Sequence, residues 1–109
     1  GEKPDTSEFR ETFRAEHPFP YANMDDLMAH FIHVIDLAGI DHVGIGSDFD
    51  GVGDSLPEGM KDVSFFPGLV ARFLQLEYSV ADIEKIMGGN LMRVWRANEV
   101  YASQVAENP

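Results

Sequence analysis

One short stretch of the sequence constrains the fold more than any other. Residues 42–47, HVGIGS, are the only run that reads as a β-strand, since the run is too short for a helix and is rich in β-formers and glycine. A single strand cannot satisfy its own backbone hydrogen-bonding groups, because both of its edges need neighbours. The sequence therefore predicts partner strands in another chain, in a homo-oligomer or in sequence beyond these 109 residues.

Helical patterns fill most of the remaining sequence. Residues 1–22 are polar and proline-containing, and they predict a loop that can hold one short helix. From residue 23 the spacing of apolar residues indicates an ordered portion that extends to residue 109. The four helices predicted within it span about 24–38, 65–77, 79–87 and 90–105.

The last predicted helix begins at Asn90, which is expected to act as its N-cap. Its apolar residues recur at helical spacing and are expected to form a buried stripe. That stripe consists of Leu91, Val94, Trp95, Tyr101 and Val105.

Charge and composition exclude several classes of function. Nineteen acidic residues against eight Lys and Arg give a net charge of −11, which repels a phosphate backbone and excludes nucleic acid as a partner. No apolar run approaches the roughly 18 residues of a membrane span. The absence of cysteine excludes disulfides and thiolate chemistry, and it favours a cytoplasmic location.

Two carboxylates, Asp48 and Asp50, follow the predicted strand directly. At the carboxyl end of a strand a carboxylate can ligate a metal or transfer a proton. The pattern Asp-x-Asp-Gly is also good turn chemistry, so both interpretations stay open, with Asp50 the better candidate for the turn. A calcium-binding loop is excluded, because Val52 and Gly59 would stand where oxygen ligands are needed.

The histidines do not form a recognisable metal site in the sequence. His30 and His33 are three residues apart on the predicted helix, but His33 projects opposite the apolar face and His30 lies on its flank. His17 and His42 have no partner at a ligand spacing. All four are therefore expected to be solvated or packed, and no metal ligand is predicted within this chain.

Three blocks of the sequence together resemble the zinc-dependent membrane (renal) dipeptidases. The blocks are AGIDHVGIGSDFDG at 38–51, PEGMKDVS with the following Phe66-Pro67 at 57–67, and GGNLMRVW at 88–95. They occur in the order found in that family, and the resemblance extends from about Asn23 to Trp95.

The resemblance implies an α/β fold. Residues 23–109 would be the C-terminal segment of a (β/α)8 barrel of the TIM type, as found in metal-dependent amidohydrolases. The segment would be mostly helical, and residues 42–47 would be its parallel strand, the eighth of the barrel.

The resemblance also implies a function, the hydrolysis of dipeptides at a centre of two zinc ions. Asp48 would be the catalytic acid and base, while Asp50 and Gly51 would shape the turn and line the substrate pocket. The family's zinc ligands belong to earlier motifs that this chain does not contain, so the chain alone is expected to be inactive. Its implied partners are the dipeptide substrate and the N-terminal remainder of the barrel, or another chain.

Two alternatives remain open at this point. One is a related amidohydrolase that acts on another small amide, in which Asp48 would ligate metal directly. The other is a non-catalytic fragment that self-associates into a homo-oligomer through the apolar faces of its helices.

Overall fold

A computed structural model describes residues 5–108, and most of these residues are helical. The α-helices in that part of the chain are α1 (Ser7–Glu16), α2 (Met24–Ala38), α3 (Phe66–Gln75), α4 (Val80–Glu84) and α5 (Asn90–Glu107). Short 3₁₀ turns lie at Ile40–His42 and Val63–Phe65, and a π-helical turn at Lys85–Gly89 joins α4 to α5. Positions 1–4 of the predicted loop at 1–22 and position 109 lie outside the described residues. The division at residue 23 stays a prediction.

The predicted α/β barrel segment is wrong for this structure, because residues 5–108 contain no β-strand. His42 ends a 3₁₀ turn, and although Val43 has extended dihedral angles (φ −113°, ψ 138°), residues 43–47 pair with no other segment of that range. The Val43 carbonyl, a group that strand pairing would use, accepts a hydrogen bond from the Asn90 side chain at 2.8 Å. The alternating sequence fits a strand, but a ladder also needs a neighbour, and none lies within the described range.

Helix α2 is the best-specified element of the fold. The Asn23 side chain accepts from the Asp26 backbone N–H, and the Asp26 carboxylate accepts from the Asn23 N–H, both at 2.9 Å. This capping box satisfies two of the otherwise unpaired donors at the helix start. Gly39, with φ +90°, ends the helix and donates its N–H to the Ile35 carbonyl.

The hydrophobic core lies between α2, α3 and the α4 region. Its fully buried centre is Phe73, whose ring meets Phe31 of α2 and Tyr78 edge to face, with centroids 5.2 and 5.6 Å away. The buried apolar side chains of the described residues are Met28, Val43, Met60, Leu69, Phe73, Ile83 and Ile86. Val43 is thus the point at which the segment before Asp48 enters the core.

The loop from Gly51 to Asp62 is attached to the start of α2. The Glu58 N–H donates to the Ala22 carbonyl at 2.8 Å. Gly59 has φ +88°, and a Cβ at this position would lie 2.6 Å from Cγ of Met24. A side chain at Gly59 would displace the Met24 side chain and would be strained at this φ, so glycine is favoured here and the loop that follows Asp48 stays attached to the start of α2.

The prediction that the α5 stripe is buried is wrong. Residues 91–107 are all exposed, including Trp95 at 58% and Tyr101 at 67%. Helix α5 leaves the core after Asn90, and the radius of gyration is 20.3 Å, against roughly 13 Å for a compact chain of this length. No segment between residues 5 and 108 therefore covers this face. None of the helices there is both long and apolar enough to span a membrane.

Candidate active site

Asp48 lies at the end of a segment whose burial alternates. Val43 is buried and Ile45 and Ser47 are partly buried, whereas the two intervening glycines and Asp48 itself are exposed. Asp48 has φ +48°, in the left-handed region that residues with a Cβ seldom adopt. The backbone therefore turns sharply at this aspartate.

The carboxylates of Asp48 and Asp50 differ from those of the other acids in the same region. Asp54 bonds to Tyr21 and Lys61, and Asp62 accepts the Ser64 N–H at 2.8 Å. Within residues 5–108 neither Asp48 nor Asp50 forms a side-chain hydrogen bond or an ion pair. Local capping of the turn therefore does not occupy either carboxylate in this structure.

The residue between the two acids is anchored. Phe49 is partly buried, and its ring packs at a tilt against Phe66 in the first turn of α3, with centroids 5.6 Å apart. Gly51, two residues later, has φ +81° and carries the chain into the loop. The structure thus places the three predicted site residues, Asp48, Asp50 and Gly51, on one exposed turn held by an aromatic contact.

A second anchor lies at the other end of the segment, and it was not predicted. The Asn90 amide donates to the carbonyls of Ile40 and Val43 at 2.7 and 2.8 Å, and Asn90 is only 5% exposed. The Arg93 guanidinium donates to the Asn90 side-chain oxygen at 2.7 Å and to the Asp41 carbonyl at 2.6 Å. The prediction of Asn90 as an N-cap is therefore wrong, because its side chain bonds a distant segment instead.

An ion pair supports the same anchor. Lys85 Nζ lies 2.9 Å from Asp41 Oδ1. The hydrogen bond from Lys85 lowers the pKa of Asp41 below its ordinary 3.8, and the same bond raises the pKa of Lys85 above 10.5. Both side chains are largely solvated, so the pair adds orientation more than energy.

A polar cluster fixes the loop beyond the candidate site to the segment before α2. The Tyr21 hydroxyl donates to Asp54 at 2.7 Å, and Lys61 bonds Asp54 at 3.0 Å while lying 4.3 Å from the centre of the Tyr21 ring. The bond to Tyr21, followed by the Lys61 contact, lowers the pKa of Asp54, and the bond to Asp54 raises the pKa of Tyr21. An open groove of about 910 Å³ runs past this cluster towards α1.

The described residues do not form a metal centre. No group of three His, Asp or Glu side chains in that range is arranged to hold an ion. All four histidines are exposed: His30 and His33 lie on α2, His17 follows α1, and His42 ends a 3₁₀ turn. Residues 5–108 therefore provide no zinc centre, and the candidate site consists of the exposed carboxylates of Asp48 and Asp50.

The sequence matches one family over nearly its whole length. Residues 13–109 match the profile of the membrane dipeptidases, peptidase family M19. The uncharacterized dipeptidase C965.12 of Schizosaccharomyces pombe is 40% identical over 87 residues, which are 79% of this chain and 21% of that protein. Dipeptidase tcpJ of Claviceps purpurea is 45% identical over 84 residues, 76% of this chain and 20% of the relative.

A third relative covers more of the chain. The uncharacterized dipeptidase C3A11.10c of Schizosaccharomyces pombe is 33% identical over 102 residues, 93% of this chain and 24% of the relative. The chain thus spans about a fifth to a quarter of the length of these curated relatives. That coverage is consistent with a match to one part of a longer family sequence.

Proposed function

Because this chain belongs to the membrane dipeptidase family, peptidase family M19, we propose that it supplies the acid and base, Asp48, for the hydrolysis of dipeptides. One observation carries the choice of residue. Asp48 presents an exposed carboxylate without a structural partner in the described range, on left-handed backbone, between two anchors. Strained residues held by their surroundings are enriched at active sites.

The proposed chemistry is a proton transfer in two steps. The Asp48 carboxylate takes a proton from the water that attacks the carbonyl carbon of the peptide bond. The carbon–nitrogen bond then breaks, and the protonated Asp48 returns that proton to the departing amine. Asp50 and Gly51 shape the turn and border the pocket in this proposal.

The metal part of the proposed reaction lies outside this chain. The proposed complete enzyme uses two zinc ions, whose ligands come from the remainder of a family-length sequence or from a partner chain. Membership of the family supports metal dependence, while the described residues offer no centre of three ligands. The chain alone is therefore proposed to be inactive.

A chimera tests the proposal. The 84 matched residues of the Claviceps purpurea relative are replaced by the corresponding residues of this chain, and hydrolysis of a dipeptide panel is measured. We expect activity in the chimera and a loss of at least about a hundredfold in kcat for Asp48→Asn, with zinc content unchanged. Asp50→Asn is the matched control, and we expect less than about a tenfold loss.

The same experiment separates the proposal from its alternatives. Full activity of the Asp48→Asn chimera would refute the acid–base assignment. Loss of zinc together with activity would favour the alternative in which Asp48 ligates metal. Hydrolysis of other small amides in preference to dipeptides would favour the related amidohydrolase.

A second candidate function, a self-associating module without catalysis, is favoured by the exposed apolar face of α5. Leu91 and Trp95 are 62% and 58% exposed. Exposed apolar patches of this kind usually mark interaction surfaces. Native mass analysis with zinc determination discriminates the two functions. A zinc-free homo-oligomer would support the module, and a zinc-containing complex with a second polypeptide would support the enzyme.

A further inference from the structure

The anchor formed by Asn90 and Arg93 joins residues about fifty positions apart in the sequence. Asn90 is the buried polar side chain of the described residues, and both functions of its amide are used. Its two donors bond the carbonyls of Ile40, the first residue of the 3₁₀ turn, and of Val43, the residue directly after that turn, while its oxygen accepts from Arg93. A buried amide that is satisfied in this way fixes the orientation of its partners.

The π-helical turn before Asn90 is joined to that segment by the ion pair between Lys85 and Asp41. A Cβ at Gly89 would lie 3.0 Å from the Glu84 carbonyl oxygen, five residues earlier, so a side chain there would displace the end of this π-helical turn by a few tenths of an ångström. Arg93, one helical turn after Asn90, reaches the Asp41 carbonyl at 2.6 Å. The GGNLMRV block therefore combines close approach, amide donors and a guanidinium that holds the amide in place.

We propose that Asn90 and Arg93 are positioning residues, which fix the start of the segment 43–48 and thereby hold Asp48 in its exposed, left-handed conformation. Phe49, packed on Phe66, fixes the other end. Between these anchors the backbone N–H groups of residues 44–48 make no hydrogen bond within the described range. Loss of one anchor leaves that segment tethered at a single end. The inference rests on the proposed function of Asp48 and adds residues that act through it.

NMR of the full 109-residue chain tests the structural step. Asn90→Ala and Arg93→Ala are compared with Asn98→Ala and Arg96→Ala, residues of the same types on the same helix. Among residues 5–108 the Asn98 side chain bonds only the Val94 carbonyl, within α5 itself, and Arg96 is exposed. We expect order parameters of the amides of residues 44–48 to fall from about 0.85 to below about 0.6 in the anchor variants. The strong intraresidue HN–Hα contact of left-handed Asp48 should weaken, while both controls stay unchanged.

Kinetics in the chimera test the positioning step. Asn90→Ala and Arg93→Ala should lower kcat tenfold or more, while KM stays within about twofold and the zinc content stays constant. The reason is that a small displacement of a reacting group slows the chemical step before it weakens substrate binding. Arg93→Lys retains a cation that can bond one of the two oxygens and should recover part of the loss. Asn98→Ala and Arg96→Ala should keep kcat.

The two arms distinguish failure of the inference from failure of the proposed function. Unchanged order parameters in both anchor variants would overturn the inference, and so would a mobile segment with unchanged kcat. If Asn90→Ala does not fold, Arg93→Ala decides, since Arg93 is exposed and its loss opens no buried hole. An inactive chimera beside an active relative would refute the proposed function, and the NMR arm alone would then decide whether the anchor holds the segment.

Discussion

Replacing Asp48 by glycine is expected to stabilise the folded chain while removing its proposed chemistry. The residue has φ +48°, where a Cβ costs roughly 1–2 kcal/mol, and aspartate lies at the lower end of that cost. Glycine removes the cost but loses about 0.5–1 kcal/mol of backbone entropy on folding. The expected net gain for Asp48→Gly is therefore at most about 0.5 kcal/mol.

Glu77 provides the matched comparison. It has φ +63°, and glutamate tolerates the left-handed region less well than aspartate does. Glu77→Gly should therefore stabilise the chain more, by about 1 kcal/mol. Asp48→Asn keeps a side chain that tolerates this backbone and should leave the free energy of unfolding within about 0.3 kcal/mol.

Urea unfolding followed by circular dichroism measures these differences in the free energy of unfolding, provided that the slope of that free energy against urea concentration is the same for all variants. Destabilisation of more than about 1 kcal/mol by either Asp48→Gly or Asp48→Asn would refute the reasoning, because the carboxylate would then be making a stabilising contact. If Asp48→Gly stabilises the chain and inactivates the chimera, the strained conformation of Asp48 accompanies its function.

Three further predictions concern the scaffold around the site. Gly59→Ala should destabilise the chain by more than about 2 kcal/mol, because the new Cβ meets the Met24 side chain. Gly53→Ala, at φ +62° with no atom near the new Cβ, should destabilise the chain by about 1 kcal/mol, and urea unfolding compares the two variants. Phe73→Ala should cost about 3–5 kcal/mol in the same assay, because the ring is fully buried. The hydrogen bond from Lys85 lowers the pKa of Asp41 from 3.8, so their ion pair stabilises the fold above about pH 4 and is lost as the pH falls through the folded-state pKa; NMR titration should show the pKa of Asp41 returning towards 3.8 in Lys85→Met.

The sequence predicts local structure well where the cause is local. The helix predicted at 24–38 and the observed Met24–Ala38 have the same bounds, because the Asn23 cap and the Gly39 stop act through neighbouring backbone groups. The strand at 42–47 failed for the opposite reason. Its alternation is reproduced in the burial of Val43 and Ile45, yet a strand is defined by a neighbour, and alternation carries no information about one.

The role of Asn90 shows a similar limit. An asparagine before an apolar helical pattern satisfies the rule for an N-cap, and the local sequence cannot show that its amide bonds residues fifty positions earlier. The resemblance of the GGNLMRVW block marked the region as significant without assigning a contact. The roles of Asp48, Asp50 and Gly51 stay predictions, since their placement on one exposed turn is compatible with the proposed chemistry but does not test it.

The exposed stripe of α5 connects these limits to the length of the relatives. Apolar spacing predicted burial, and the structure leaves Trp95 and Tyr101 uncovered in a chain far less compact than its length allows. Periodicity records that a face is apolar, but it does not record which polypeptide covers it. The matched relatives are four to five times as long as the part they share with this chain. An apolar face left uncovered, and a carboxylate with no metal site beside it among residues 5–108, are both expected under the proposed function, in which this chain acts together with the remainder of a family-length sequence.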